Sequence, residues 1–467
     1  MTATVDHTGD LRARMTGTVV APADPGYDDA RRVWNGAVDR RPALVARCAD
    51  VEDVVAAVDH ARLRGLEIAV RGGAHNAAGH ATGDGVLVID LAAVNTVTVD
   101  PVARRARVGG GALLRDMDAA TQEHGLAVPA GEVGHTGVAG LTLGGGLGWL
   151  TRRDGLSIDH LVGAQVVLAD GRVVRASADE HPDLLWALRG GGGNFGIVTE
   201  FEFSLVPVGP LVSFGLFFFS VDDGAAALRL AREVIPELPA TVGFQIIAMC
   251  APPAPFVPEE LRLRPGWALV VIGTTGEQPD ADAEPVHERI RATGPTPLFE
   301  YCTPMPYTAL QQMSDEDLAW GARCYEKGCY LPGLEDPVIA VLAEQVARRV
   351  SPLSLVHVFV LDGAYSVVPE DATAFGGGRS PRLNVFVVGL APDLAGQPAE
   401  RDWVRTFHGA LAPYTIGSGA YVNSLMGDDA ARVRASYGDK YDRLAAIKAV
   451  YDPDNVFHRN ANIPPHR

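Results

Sequence analysis

Apolar spacing divides the chain near residue 206. Before it, VEDVVAAVDHARLRG (51–65) repeats apolar residues at helical intervals behind Asp50, a residue suited to an N-cap. LEIAVRG (66–72), GVLVIDL (85–91) and NTVTVD (95–100) are short and rich in β-branched residues, which predicts strands. ALLRDMDAATQEHG (112–125) predicts an amphipathic helix that stops at Gly125. VVLADGRVV (166–174) sets two β-branched runs around Asp170-Gly171, a hairpin signal. HPDLLWALRG (181–190) predicts a short helix, and IVTEFEFSLV (197–206) alternates as a strand does.

From residue 207 the texture changes. Proline clusters (APPAPFVPEE, EQPDADAEP, GPTPLFEYCTPMP) separate the strand candidates FGLFFFS, FQIIAMC, WALVVIG, LVHVFVLDG and LNVFVVGLA. Helical stretches fall near 222–236, 336–350 and 398–412. Together these predict an antiparallel sheet with helices on one side, a second domain over 207–420. The tail from residue 430 is helical until Tyr451 and then becomes a polar, proline-ended loop.

Composition narrows the class. At 467 residues the chain exceeds one ordinary core, and 47% apolar with 21% charged residues fits a globular enzyme. No apolar run is long enough for a membrane span, and the first residues lack the apolar core of a secretory signal, so the expected location is the cytoplasm. A net charge of −17 argues against nucleic acid as a partner, because such binding needs basic patches. The five cysteines form no CxxC, which predicts free thiols and no metal site.

Three glycine-rich stretches carry the candidate chemistry. GGGNFG (191–196) satisfies GxGxxG, but a helix precedes it and a strand follows, the reverse of a dinucleotide-binding fingerprint. It still suits a glycine-lined wall beside a cofactor. GVAGLTLGGGLGWL (137–150) interleaves glycines with regular apolar residues, as a packed backbone does when a flat or phosphorylated ligand approaches closely. In VRGGAHNAAGH (70–80), a strand gives way to Gly72, Gly73, Ala74 and Asn76, whose successive N–H groups can form an anion nest, with Arg71 adding charge. His75 stands inside this turn, where an imidazole has no evident packing role from the strand.

These stretches, with PAGEVGHTG (129–137), DLLWALRGGGGNFGIVTEFEF and the terminal YDPDNVFHRNANIPP, occur in the order and spacing of a known family. The chain resembles the FAD-linked oxidases related to berberine bridge enzyme, within the vanillyl-alcohol oxidase superfamily, including the 6-hydroxy-D-nicotine oxidase type. The match is close over the first 205 residues and about the last 40, and only in outline between them. The resemblance implies an α+β, two-domain fold: a PCMH-type FAD-binding domain of two α/β subdomains (1–206), the substrate domain (207–420) and a C-terminal segment (421–467) returning to the FAD domain. It implies that the RGGAHN turn cradles the FAD pyrophosphate and that His75 is bonded covalently to the flavin. By the same resemblance His80, Gly131, Thr136, Gly137, Gly140, Gly145, Gly148, Ile197, Asn460 and Asn462 join Arg71, Gly72, Gly73, Ala74 and Asn76 as cofactor-binding residues.

Two departures from the family pattern matter. Many members carry a second flavin-bonding cysteine where this chain has Val133, so a single attachment through His75 is expected. Sugar-oxidising and plant members have Y-x-N-Y, the second tyrosine acting as base; here the run is Tyr421-Val422-Asn423-Ser424. A serine hydroxyl is too weak an acid to serve as that base unaided. Tyr421 is the preferred catalytic candidate, with His135, His357 and Tyr365 as others.

The expected activity is hydride removal from a hydroxylated small molecule, such as a secondary-metabolite alcohol, by FAD with O2 as acceptor. Thr136 occupies the place of the family's oxygen gatekeeper, and its small side chain should leave access. The alternatives are C–N oxidation of an amine, for which a missing base matters less, and a flavin-binding protein without catalysis. Neither the substrate nor the oligomeric state is written in the sequence.

Overall fold

The computed structural model describes residues 8–274, 280–427 and 430–466. The first sheet holds β1 (Thr18–Val20), β2 (Leu44–Arg47), β3 (Ile68–Arg71) and β4 (Leu87–Asp90) in the order β1-β2-β4-β3. β4 runs parallel to both β2 and β3, and helix Val51–Arg64 makes the crossover between those two. The Asp50 carboxylate accepts from Asp53 N–H at 2.9 Å to start that helix, and Gly65 in the left-handed region ends it. Val54, Ala57, Val58 and Ala61 of its apolar stripe pack on Ile68, Leu87 and Ile89.

A second, antiparallel sheet follows. Its strands are β5 (Val97–Asp100), β6 (Arg105–Gly109), β8 (Leu161–Val167), β9 (Val173–Ser177) and β10 (Ile197–Ser204), ordered β5-β6-β10-β8-β9. The short β7 (Leu126–Ala127) lies apart and pairs with β11 (Val206–Pro207). The Asp170-Gly171 hairpin forms as its sequence predicts, with Val166 opposite Val174 and Val167 opposite Val173. Phe201 and Phe203 point the alternating face of β10 into the core.

Seven strands build the third sheet: β12 (Leu211–Ser220), β13 (Val242–Cys250), β14 (Pro265–Gly273), β15 (Phe299–Pro306), β16 (Arg323–Leu331), β17 (Leu355–Leu361) and β18 (Arg382–Ala391). All neighbours are antiparallel, in the order β15-β12-β14-β13-β17-β18-β16. Helices Gly224–Val234, Asp280–Thr293, Asp336–Ala347 and Gln397–Leu411 cover one face through Leu228, Ile290, Leu342 and Trp403. The other face packs partly on Leu147, Trp149 and Leu150 from the glycine-rich stretch. The mixed helices and antiparallel sheets agree with the α+β expectation.

Several elements differ from the pattern reading. GPTPLFEYCTPMP contains an edge strand, β15, where Pro304 and Pro306 are tolerated because only one neighbour needs its hydrogen bonds. β16, the opposite edge, is half charged or polar and escaped the apolar criterion. Of EQPDADAEP, residues 277–279 lie outside the described residues, and the remainder opens a helix that accommodates Pro285. Residues Val138–Gly144 form a short helix inside the glycine-rich stretch.

Candidate active site

A cavity of about 510 Å³ is enclosed by the His75 turn, the glycine-rich stretch, the GGGNFG loop, the C-terminal tail and one face of the third sheet. At its base, β3 ends on Arg71, whose guanidinium donates to Ala30 O (2.6 Å) and Arg32 O (2.7 Å) and lies 3.5 Å from the Asp90 carboxylate. Arg71 thus anchors the end of the strand and does not line the cavity. Beyond it the chain takes an unusual path. Ala74 has φ +52°, a left-handed conformation that strains an L residue and turns the backbone back on itself. A Cβ on Gly73 would fall 2.2 Å from Gly137 N, and one on Gly137 would fall 2.3 Å from Gly73 N. The two glycine segments touch backbone to backbone.

His75 is consequently held against the cavity. Its ring stacks on Trp34 at 4.5 Å and 18°, and meets His135 at 5.0 Å and 31°. Burial and the neighbouring His135 lower its pKa to about 3, so the imidazole is neutral at physiological pH. Its Nε2 is buried without a hydrogen-bond partner. His80, also on the wall, is lowered to about 4 by burial and by Arg459.

Gly72, Gly73, Ala74, Asn76, Gly131, Thr136, Gly137, Gly140 and Ile197 all reach the cavity surface. Gly145 and Gly148 do not; they permit close packing behind it. A Cβ on Gly148 would lie 1.7 Å from Ala130 O, and one on Gly145 would meet the Phe375 and Tyr421 rings at 2.9 and 3.0 Å. The GGGNFG loop contributes Gly192, Gly193 and Gly196 to the wall. Its Asn194 holds the tail instead: Oδ1 accepts from Ile463 N–H at 3.0 Å and Nδ2 donates to Ala461 O at 3.2 Å.

Lys448 locks the same crossing from beneath. Fully buried, it pairs with Asp452 at 2.6 Å and donates to Asn194 O and Phe457 O. This brings Asn460 to the cavity, where Nδ2 donates to Gly193 O at 3.0 Å and Oδ1 remains buried without a partner. Asn462 also has a buried, unpartnered Oδ1 but lies off the cavity wall.

The third sheet supplies the opposite wall in register. Ile247, His357, Phe386 and Gly328 form one row across β13, β17, β18 and β16; Leu355, Val388 and Glu326 form part of the next. His357 Nε2 lies 2.7 Å from Gln245 Oε1, and Gln245 Nε2 donates to Glu132. An amide oxygen only accepts, so His357 carries its proton on Nε2 and leaves the Nδ1 lone pair unprotonated. Burial lowers His357 to about 3 and raises Glu132 to about 8.

Tyr421 lines the cavity, and its hydroxyl oxygen accepts from Gly146 N–H (2.9 Å) and Asn423 Nδ2 (3.0 Å). Burial nevertheless pushes it up to about 12, which leaves it a protonated donor near neutrality. His135 Nε2 lies 3.3 Å from Asp315 O. Tyr365 donates to Gly378 O and is absent from the cavity wall. Sequence reasoning passed over Trp34, Glu132, Gln245 and Glu326. Only Gln245 left a signal, as a polar residue inside an apolar strand.

The donor set suits a large planar group bearing phosphates: a glycine cradle, a neutral histidine with an orphaned nitrogen, and an unpartnered asparagine oxygen. The FAD binding domain family matches residues 42–177, and the berberine and berberine-like family matches residues 420–464. The (R)-6-hydroxynicotine oxidase of Paenarthrobacter nicotinovorans is 32% identical over 96% of this chain and 97% of that protein. An FAD-linked oxidoreductase of Dictyostelium discoideum is 28% identical over 92% and 91%. Among solved structures, 6-hydroxy-D-nicotine oxidase from Arthrobacter nicotinovorans superimposes with a TM-score of 0.85 at 29% identity, covering 97% of this chain and 98% of the other. The Physcomitrella patens BBE-like 1 protein shares the fold with a TM-score of 0.85 at 22% identity, covering 98% and 99%. The chain therefore belongs to the berberine bridge enzyme-like FAD-linked oxidoreductases.

Proposed function

We propose that this protein removes a hydride from a hydroxylated small molecule of secondary metabolism, using FAD attached through His75 alone and passing the electrons to O2. The observation that carries this reading is the neutral His75 ring, clamped by Trp34 with Nε2 unpartnered at the cavity. A neutral imidazole is the nucleophilic form needed for covalent attachment. When bound, FAD supplies the hydride acceptor. Val133 on the wall offers no thiol for a second bond, and the small Thr136 leaves room for O2.

The remaining assignments follow the wall. Gly72, Gly73, Ala74, Asn76, His80, Gly131, Gly137, Gly140, Ile197 and Asn460 hold the cofactor, while Arg71, Gly145, Gly148 and Asn462 shape the backbone behind them. Tyr421 donates to the substrate oxygen, and His357 Nδ1 takes the substrate proton with Gln245 and Glu132 behind it. A second reading, oxidation at a C–N bond, is favoured by the likeness to (R)-6-hydroxynicotine oxidase.

Acid precipitation followed by peptide mass spectrometry tests the attachment. A flavin adduct on the His75 peptide and nowhere else is expected; FAD released to the supernatant would overturn the proposal. Anaerobic reduction by panels of alcohols and amines separates the two readings.

A further inference from the structure

The cavity wall carries a charge that the flavin reading leaves unused. Glu326 lies on edge strand β16, opposite Val388 in register, with Leu355 next in that row. Val388 packs with Leu318, Leu355 and Phe386, and all four line the same cavity as Glu326. Its backbone N–H donates to Met426 Sδ at 3.2 Å, yet no cation or hydrogen-bond donor meets its carboxyl among the described residues. Burial raises it to about 7. Asp317, another wall residue, is also raised by burial. The one arginine on the wall, Arg459, is committed to Glu67 and to Thr82 O.

A carboxyl in an apolar wall without a partner is costly, and such groups are normally paired. A buried, unpartnered donor lies elsewhere in the same cavity. Trp149 is 6% exposed, and its indole N–H, buried beside Ile247 and Met249, finds no acceptor among the described residues. One group calls for a cation and the other for an oxygen acceptor.

Sheet geometry sets the spacing. His357 on β17 and Glu326 on β16 are separated by β18 and shifted by two residues along the strands. Two strand spacings and two residue rises put their Cα atoms roughly 12 Å apart. A group seated at Glu326 is therefore remote from the proton acceptor.

We propose that Glu326 is the anchor for a positively charged nitrogen on the substrate, held at the far end of the molecule from the carbon that is oxidised. This rests on the placement of His357 as proton acceptor in the proposed function. It makes the substrate an elongated amino alcohol or a diamine, with the anchored ammonium itself unreacted. Phe386, on the wall between the two sites, can offer its ring face to the cation.

Aminohexanol and its uncharged isostere heptanol are the probes, with binding to the holoprotein followed by calorimetry at pH 8. Aminohexanol should bind about tenfold more tightly or better, as a charge-assisted contact provides. Glu326→Gln should abolish the preference, whereas Asp317→Asn should keep it. Equal or weaker binding of aminohexanol by the unaltered protein overturns the proposal without any variant. Retention of the preference in Glu326→Gln overturns it too, with thermal melting confirming that the variant is folded. Flavin content, read from absorbance on the same samples, reports separately on the flavin reading.

Discussion

His75 and Trp34 lie face to face, their ring centroids 4.5 Å apart at an interplanar angle of 18°. The indole holds the imidazole in place for the proposed bond to flavin. Such a stack contributes about 1 kcal/mol, so Trp34→Ala should slow covalent attachment about fivefold. Trp34→Phe should restore most of the rate. Denaturing gels read by flavin fluorescence during reconstitution would measure it, and unchanged kinetics in Trp34→Ala would remove the clamp from the mechanism.

Removing the nucleophile is the sharper experiment. His75→Ala should leave flavin that dissociates completely in acid, with protein stability lowered by about 1 kcal/mol through the lost Trp34 stack.

The pair Glu132 and His357 predicts a pH dependence. Burial keeps Glu132 protonated up to about pH 8, and His357 is neutral throughout that range. Only when Glu132 ionises can the network absorb a substrate proton without accumulating positive charge. With an alcohol substrate, kcat should rise with pH through about 8 and level above it. Glu132→Gln should flatten that limb and lower kcat about a hundredfold, within the range general-base catalysis contributes. Glu326→Gln should raise KM and leave kcat nearly unchanged.

Two glycines that look alike in the sequence should respond differently. Gly73→Ala drives a methyl into the Gly137 backbone and should cost about 1–3 kcal/mol, along with flavin content. Gly140 has nothing within 4 Å of its would-be Cβ, so Gly140→Ala should melt like the unaltered protein while losing cofactor affinity. Thermal melting and absorbance on the same samples distinguish the two.

The Lys448–Asp452 pair is fully buried, so Lys448→Met leaves a carboxylate that still accepts from Val456 and Phe457 N–H but has lost its countercharge, and should destabilise by about 3–5 kcal/mol in urea unfolding. Adding Asp452→Leu should not recover that loss, because it strips the Val456 and Phe457 N–H groups of their acceptor.

How much of this was legible in sequence depended on distance along the chain. The His75 turn could be read because its strand, glycines and histidine are contiguous. The Asp50 cap and the Asp170-Gly171 hairpin are local for the same reason. The proposed proton network could not be read, since the third sheet sets Gln245 beside His357 and a loop of the first domain brings Glu132 to them. Edge strands β15 and β16 were hidden by their own exposure: prolines and charges are permitted where one side has no neighbour. Arg71 shows the opposite limit. A positive charge beside an anion nest suggested phosphate binding, but the guanidinium faces backbone carbonyls and Asp90.

The crossing of the tail over the GGGNFG loop also constrains biosynthesis. Residues 448–463 complete a wall begun by Trp34 and His75, so a nascent chain cannot finish the cavity until that segment has left the ribosome. Cofactor loading is then a check on synthesis: a chain interrupted anywhere before the tail should emerge colourless, however well its earlier sheets have formed.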